Sequence, residues 1–166
     1  QHGNAKRRAK KSDYAMQLLE KQRLRFQYNV SERQMRNYYL KASRRTGNTG
    51  ELMVQSLEQR LDALVLRAGF ARSIYAARQY VTHGHFTVNG RPVNLPAYSV
   101  RPGDVVAVRP RSRKVECLRH GFGIAVLPQY LQVSQTDLSV QLLRTPMRDE
   151  IPVICDVTLV VEYYSR

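Results

Sequence analysis

The sequence has no tryptophan, only 2 cysteines in 166 residues, and 13 acidic side chains against 27 basic ones. Each shortage excludes something. Cys117 and Cys155 stand far apart and form no metal-ligand pair. Neither a disulfide framework nor a cysteine-type zinc site is therefore expected, and both residues are read as buried small apolar side chains in a reducing compartment. No apolar run approaches the roughly 18 residues that a membrane span needs, and no basic-then-apolar secretory leader is present. G-x-S-x-G, H-E-x-x-H and a phosphate-cradling glycine loop are all missing, and the few carboxylates are scattered. No enzyme, no cofactor and no bound metal are expected from such a chain.

Positive charge is plentiful and uneven. The formal net charge is +14, of which residues 1–45 carry +10, residues 56–116 carry +6 and residues 117–166 carry −1. A merely solubilising surface mixes signs more evenly. Charge gathered in one part of a chain is the footprint of a polyanion binder, and nucleic acid is favoured over an acidic membrane.

Local signals order the chain. Residues 1–11 are expected to form a basic arm, and Ser12 caps a helix through "DYAMQLLEKQRLRFQY" with Asp13 in its first turn. Ser31 and Gln34 have capping-box spacing, and the helix they open sets Met35, Tyr38, Tyr39 and Ala42 on one face with arginines around the other. "TGNTG" at 46–50 ends it, and Thr49 is expected to cap the next helix. Leu57, Leu61, Leu64, Val65 and Ala68 continue at helical spacing up to Gly69. Ser73 caps a further helix that runs to His83, with Gly84 as its stop. The period then changes to two: Phe86 and Val88 precede Asn89-Gly90, a strong hairpin signal, and Pro92 must lie at an edge. A turn at 101–104 leads to a strand at 105–108, and 139–143 and 157–164 are both predicted strands.

The stretch "ARQYVTHGHFTVNGRPVNLP" at 77–96 concentrates donors around a helix end and a hairpin. His83 and His85 lack the third and fourth ligands that zinc needs, and nothing in the sequence orients them as acid and base. An RNA grip uses all the parts. Arg72, Ser73, Arg78 and Gln79 lie at the start and along one helix, while His83, His85, Asn89 and Arg91 surround its end and the turn. Arginine suits the task because its planar fork meets phosphate oxygens in pairs. The basic arm adds Lys6, Arg7, Arg8, Lys10 and Lys11, and the helical region adds Lys21, Arg25, Arg44 and Arg45.

Residues 60–106, with the segments Ala-Arg-Gln, His-Gly-His, Val-Asn-Gly and Pro-Gly-Asp, resemble the S-four RNA-binding domain. "SDYAMQLLEKQRLR", "SERQMRNYY", "GNTGE" and the closing "VVEYYSR" extend the resemblance to the S-four family of bacterial-type small-subunit ribosomal proteins. Ala63 departs from the family's usual Asn after "RLD".

The resemblance implies an α+β fold: a helical region, then an S-four module whose antiparallel sheet is completed by C-terminal strands. The expected limits are 1–55 for arm and helices, 56–115 for the module, and 116–166 for a β-rich segment packing on it. It also implies a structural protein that binds small-subunit ribosomal RNA early in assembly and supports decoding accuracy. The implied partners are that RNA, neighbouring small-subunit ribosomal proteins and messenger RNA, in the ribosome of a bacterial cytoplasm or an organelle. It further implies a stretch upstream of the opening "QHG". The rival readings are a free ribosome-associated factor with the same domain, and an RNA-binding fragment of a pseudouridine synthase.

Overall fold

The computed structural model describes residues 12–122 and 126–166. The basic arm at Lys6, Arg7, Arg8, Lys10 and Lys11 lies outside the described residues.

Three helices come first: α1 (Asp13–Tyr28), α2 (Glu32–Ser43) and α3 (Thr49–Glu58). Ser12 accepts from the Ala15 N–H, and Ser31 with Gln34 forms the reciprocal capping box, so both starts follow the sequence signals. At the third, Asn48 and not Thr49 is the cap. Its carboxamide oxygen takes the Glu51 N–H at 3.1 Å, and Thr49 is already helical.

The apolar spacing from Leu57 to Ala68 does not belong to one helix. The chain turns extended at Arg60 and restarts as α4 (Leu61–Arg67). The cause is a distant strand-like segment: Arg60 bridges Ser99, the Leu61 N–H donates to the Tyr98 carbonyl at 2.9 Å, and the Val100 N–H donates to the Gln59 carbonyl at 2.8 Å. Helix α5 (Ile74–Thr82) follows, capped by Ser73.

The strands β1 (Phe86–Val88), β2 (Arg91–Pro92), β3 (Val105–Val108), β4 (Leu131–Ser134) and β5 (Ser139–Leu142) form one antiparallel sheet in the order β2-β1-β3-β5-β4. Pro92 lies on the edge strand, where its missing N–H costs no ladder bond. Asn89 (φ 50) and Gly90 (φ 81) give the two positive angles of a type I′ turn. A Cβ at Gly90 would meet nothing within 4 Å. Any loss in Gly90→Val is therefore backbone strain, expected at about 1–2 kcal/mol. An unchanged urea midpoint would show the turn to be indifferent to φ. The other glycine under constraint is Gly69 (φ 88), where a Cβ would overlap the Gly121 carbonyl oxygen. There the end of α4 meets the end of the short helix α6 (Glu116–His120).

Two cores result. One joins α4 and α5 to the sheet, with Leu64, Phe70, Val81, Phe86, Val106 and Val140 among its members. The other packs α1, α2 and α3 through Leu24, Met35, Met53 and Leu57. Residues 157–164 belong to this second core and form a helix, α7 (Val157–Tyr164), not a strand. Asp156 caps it by accepting the Thr158 N–H, and it lies against α1 and α3. Among its described residues the trailing segment is thus β-structured only through β4 and β5.

Hydrogen bonds tie the two cores together. Glu58 is 0% exposed and accepts from Tyr28 Oη at 2.6 Å, Tyr130 Oη at 2.7 Å and Arg67 Nε at 2.6 Å. Tyr28 belongs to the helical core and Tyr130 to the sheet core. Arg60, also buried, gives Nε and Nη2 to Asp62 and Nη1 to the Tyr38 hydroxyl. The cysteines correct another expectation: Cys117 is exposed and Cys155 only half-buried, and neither is in a disulfide. Burial, first of all, pushes the Cys155 thiol up to about 12, so it stays protonated and inert.

Candidate nucleic-acid interface

Helix α5 turns Ala77 and Val81 into the core, so its remaining faces point outward. Arg72, Ser73, Arg78, Gln79 and His83 are all exposed along it. Arg78 and Gln79 lie one turn from Tyr75, which is 62% exposed. Arg91 is exposed just past the turn. The structure therefore brings this group of donors onto one helix and the adjoining hairpin.

Not every member is free to meet a ligand. The Ser73 hydroxyl is occupied by the Ala76 N–H. The Asn89 carboxamide serves the fold, donating to Asp104 Oδ1 at 2.9 Å and accepting the Val105 N–H at 2.9 Å. His85 is half-buried, with Nδ1 2.9 Å from the Ser112 hydroxyl. Burial first, and then the neighbouring His83 and Arg111, hold His85 below the usual histidine range. It is neutral at pH 7 and acts as a hydrogen-bond partner, not as a cation.

The sequence-based set omits two arginines. Arg109 Nη1 donates to the Gly84 carbonyl at 3.3 Å, and the Arg109 N–H donates to the His85 carbonyl at 2.8 Å. These bonds join the end of β3 to the end of α5. A depression of about 340 Å³ opens there, lined by Thr82, His83, Gly84, Pro92, Val93, Asn94, Arg109 and Arg111, with no carboxylate among them. The signal was present in "RPRSRK" at 109–114, where basic residues alternate beyond the last residue of the module's strand. Tyr75 was harder to find, because a lone aromatic in a helix is usually core.

In the helical region the picture is mixed. Arg44 and Arg45 are exposed in the turn after α2. Lys21 is a correction. Its side chain is 4% exposed, Nζ bonds Glu32 Oε2 at 2.6 Å, and the ammonium sits 4.9 Å from the Tyr163 ring centroid. Buried and paired, it holds α1 to α2 and has no reach to a phosphate. Arg25 is half-buried, bonded to Gln22 Oε1 at 2.8 Å and 4.0 Å from Glu32.

The ring centroids of His83 and His85 are 6.3 Å apart, and among the described residues no carboxylate hydrogen-bonds to either ring. Among the described residues no group of three His, Cys, Asp or Glu side chains could hold a metal ion. The arrangement offers planar cations, amides and an exposed ring around a helix end, which is chemistry for phosphate and base.

Comparison with known proteins agrees with that chemistry. A family model described as the S4 domain matches residues 59–106, and one described as the ribosomal protein S4/S9 N-terminal domain matches residues 1–58. Small ribosomal subunit protein uS4 of Streptomyces avermitilis is 55% identical over 172 residues, covering 100% of this chain and 83% of the relative. The protein of the same name from Thermobifida fusca is 46% identical over 170 residues, with 100% and 83% coverage. That of Akkermansia muciniphila is 45% identical over 169 residues, again with 100% and 83% coverage. With half the residues shared along its whole length and both family models matched in order, the chain belongs to the small ribosomal subunit protein uS4 family.

Proposed function

We propose that this protein is a structural component of the small ribosomal subunit that binds small-subunit ribosomal RNA, in a bacterial cytoplasm. The observation that carries the reading is the basic surface where α5, the β1–β2 hairpin and the end of β3 meet, around a depression with no carboxylate in its lining. Arg72, Arg78, Gln79, His83, Arg91, Arg109 and Arg111 grip phosphate there, and Tyr75 offers a ring to an unpaired base. Arg44 and Arg45 extend the surface onto the helical region. The role is structural and not enzymatic.

Finer features follow from the same reading. The protein joins the RNA early in assembly, touches neighbouring small-subunit proteins, and lies close enough to messenger RNA to affect decoding accuracy. Residues 1–55 act as arm and helical region and 56–115 as the module, while 116–166 extends the module's sheet through β4 and β5 and returns α7 to the helical region.

Salt dependence tests the grip. If about six phosphates are neutralised, log K for small-subunit RNA against log salt has a slope of roughly −4 to −5.5. A slope near zero in a filter-binding titration removes the electrostatic basis of the reading. Stoichiometric presence on high-salt-washed small subunits separates a structural component from a free factor.

A further inference from the structure

A second cleft, of about 290 Å³, opens at the seam between the helical region and the module. One wall is the face of α2 that carries Gln34, Asn37, Tyr38 and Lys41 at helical spacing. Ser56 and Arg60 close the inner end, and Ala97 and Ser99, from the segment after β2, form the opposite rim. Its size is at the lower bound of small-ligand sites, roughly 300 Å³.

The polar groups are arranged for a flat, acceptor-rich ligand with a negative group outside. No carboxylate lines the cleft. The buried Arg60 guanidinium is fixed by Asp62 behind it and by the Tyr38 hydroxyl, to which Nη1 donates at 3.0 Å. Because Tyr38 accepts that bond, its own O–H remains available to donate. Gln34 commits Oε1 to the Ser31 N–H at 3.0 Å, which leaves its amide N–H groups available. Lys41 is exposed, and among the described residues no carboxylate pairs with it.

We propose that this cleft receives one unpaired nucleotide of the RNA that the α5 surface binds, with the base against Tyr38 and its phosphate on Lys41. Unpaired RNA bases are held in this manner, by an aromatic wall and by hydrogen bonds to their edges, and carboxamides suit those edges. The proposal rests on the RNA-binding reading above. It adds a cleft for a single nucleotide, where the α5 surface is open and grips mainly backbone. The same chemistry fits a free mononucleotide, so the test separates the two sources.

The experiment uses the full chain with small-subunit ribosomal RNA and a reagent that acylates flexible 2′-hydroxyls. Ala97→Phe fills the cleft from an exposed rim position, and Lys41→Ala removes the cation without adding bulk. Both variants are expected to bind about tenfold more weakly. Both should lose protection at one or two unpaired nucleotides while the remaining footprint persists. Millimolar adenosine or guanosine monophosphate is expected to leave the melting point unmoved. If Lys41→Ala keeps every protection and full affinity, the proposal is overturned, whatever Ala97→Phe does to folding. A melting-point rise with either mononucleotide, beside an unchanged RNA footprint, assigns the cleft to a free nucleotide and also overturns it. Failure of the unaltered protein to bind the RNA is a different result, because it removes the RNA-binding reading itself.

Discussion

Glu58→Ala is expected to lower the unfolding free energy by about 3–5 kcal/mol, the usual loss when one partner of a buried ion pair is removed. The carboxylate is fully buried and holds three donors at once, Tyr28, Tyr130 and Arg67. Its removal leaves two phenols and a guanidinium without their acceptor at a buried site. Glu58→Gln keeps the volume and one acceptor oxygen, so its loss is expected to be smaller. Chemical denaturation checks both, and a loss under about 1 kcal/mol for the alanine variant would mean that the donors find other acceptors.

The pH dependence gives a second readout of the same network. Burial first, and then the Glu58 carboxylate, raise both tyrosines above their ordinary range. A raised folded-state value means that the fold favours the neutral phenol. That contribution is complete below about pH 10, where an unfolded tyrosine titrates, and is lost as pH rises beyond it. Without Glu58 the alkaline fall in stability should be shallower.

The second large effect is on binding. Arg78 is exposed and stands one turn from Tyr75, on a face of α5 that the core does not use. Arg78→Glu is expected to weaken small-subunit RNA binding by about 1.5–3 kcal/mol, the worth of one charge-assisted hydrogen bond, or roughly 10–150-fold. The salt slope should become shallower by about one. The melting point should barely move, since exposed substitutions usually change stability by about 0.5 kcal/mol or less. A variant that unfolds while its folded fraction binds normally would make Arg78 structural, and the grip would then lie with Arg44, Arg45 and the arm.

Local signals carried most of the helix starts, the hairpin and the sheet edge, because Ser12, Ser31, Ser73 and Asn89-Gly90 act through their own neighbours. The misreadings occur where distant segments decide. In "VTLVVEYY" the alternation of Leu159, Val161 and Tyr163 and the β-branched content both favour a strand. Yet Val157, Val160 and Tyr164 also recur at helical spacing, and packing against α1 and α3 selects that period. Asp156 at the cap position was the local cue. The break at Arg60 has no cue nearby, because its cause is the backbone pairing with residues 98–100.

The same distinction governs the candidate interface. Arg78 and Gln79 were legible from their helix, whereas charge alone did not separate the buried, paired Lys21 from the exposed Arg44. Nor did it place Arg109 beside Gly84, which depends on how β3 ends against α5.

The position of α7 in the helical core sets an order of events during synthesis. The sheet is complete once Leu142 has been made, so the module can close while the chain is still growing. Helix α1 emerges long before, but the face it gives to α7 stays open. Gln17 awaits Glu162 and Arg166, and Tyr39 awaits Tyr164, whose ring stacks on it at 5.1 Å. Contacts between segments so distant in sequence close slowly, since the chain entropy is lost before the packing is gained. The later-made module should therefore mature first and the earliest helices last. For that interval the nascent chain has an RNA-binding surface on a finished domain and an unpartnered, largely polar helix face behind it, the state in which a partner or a chaperone would find it.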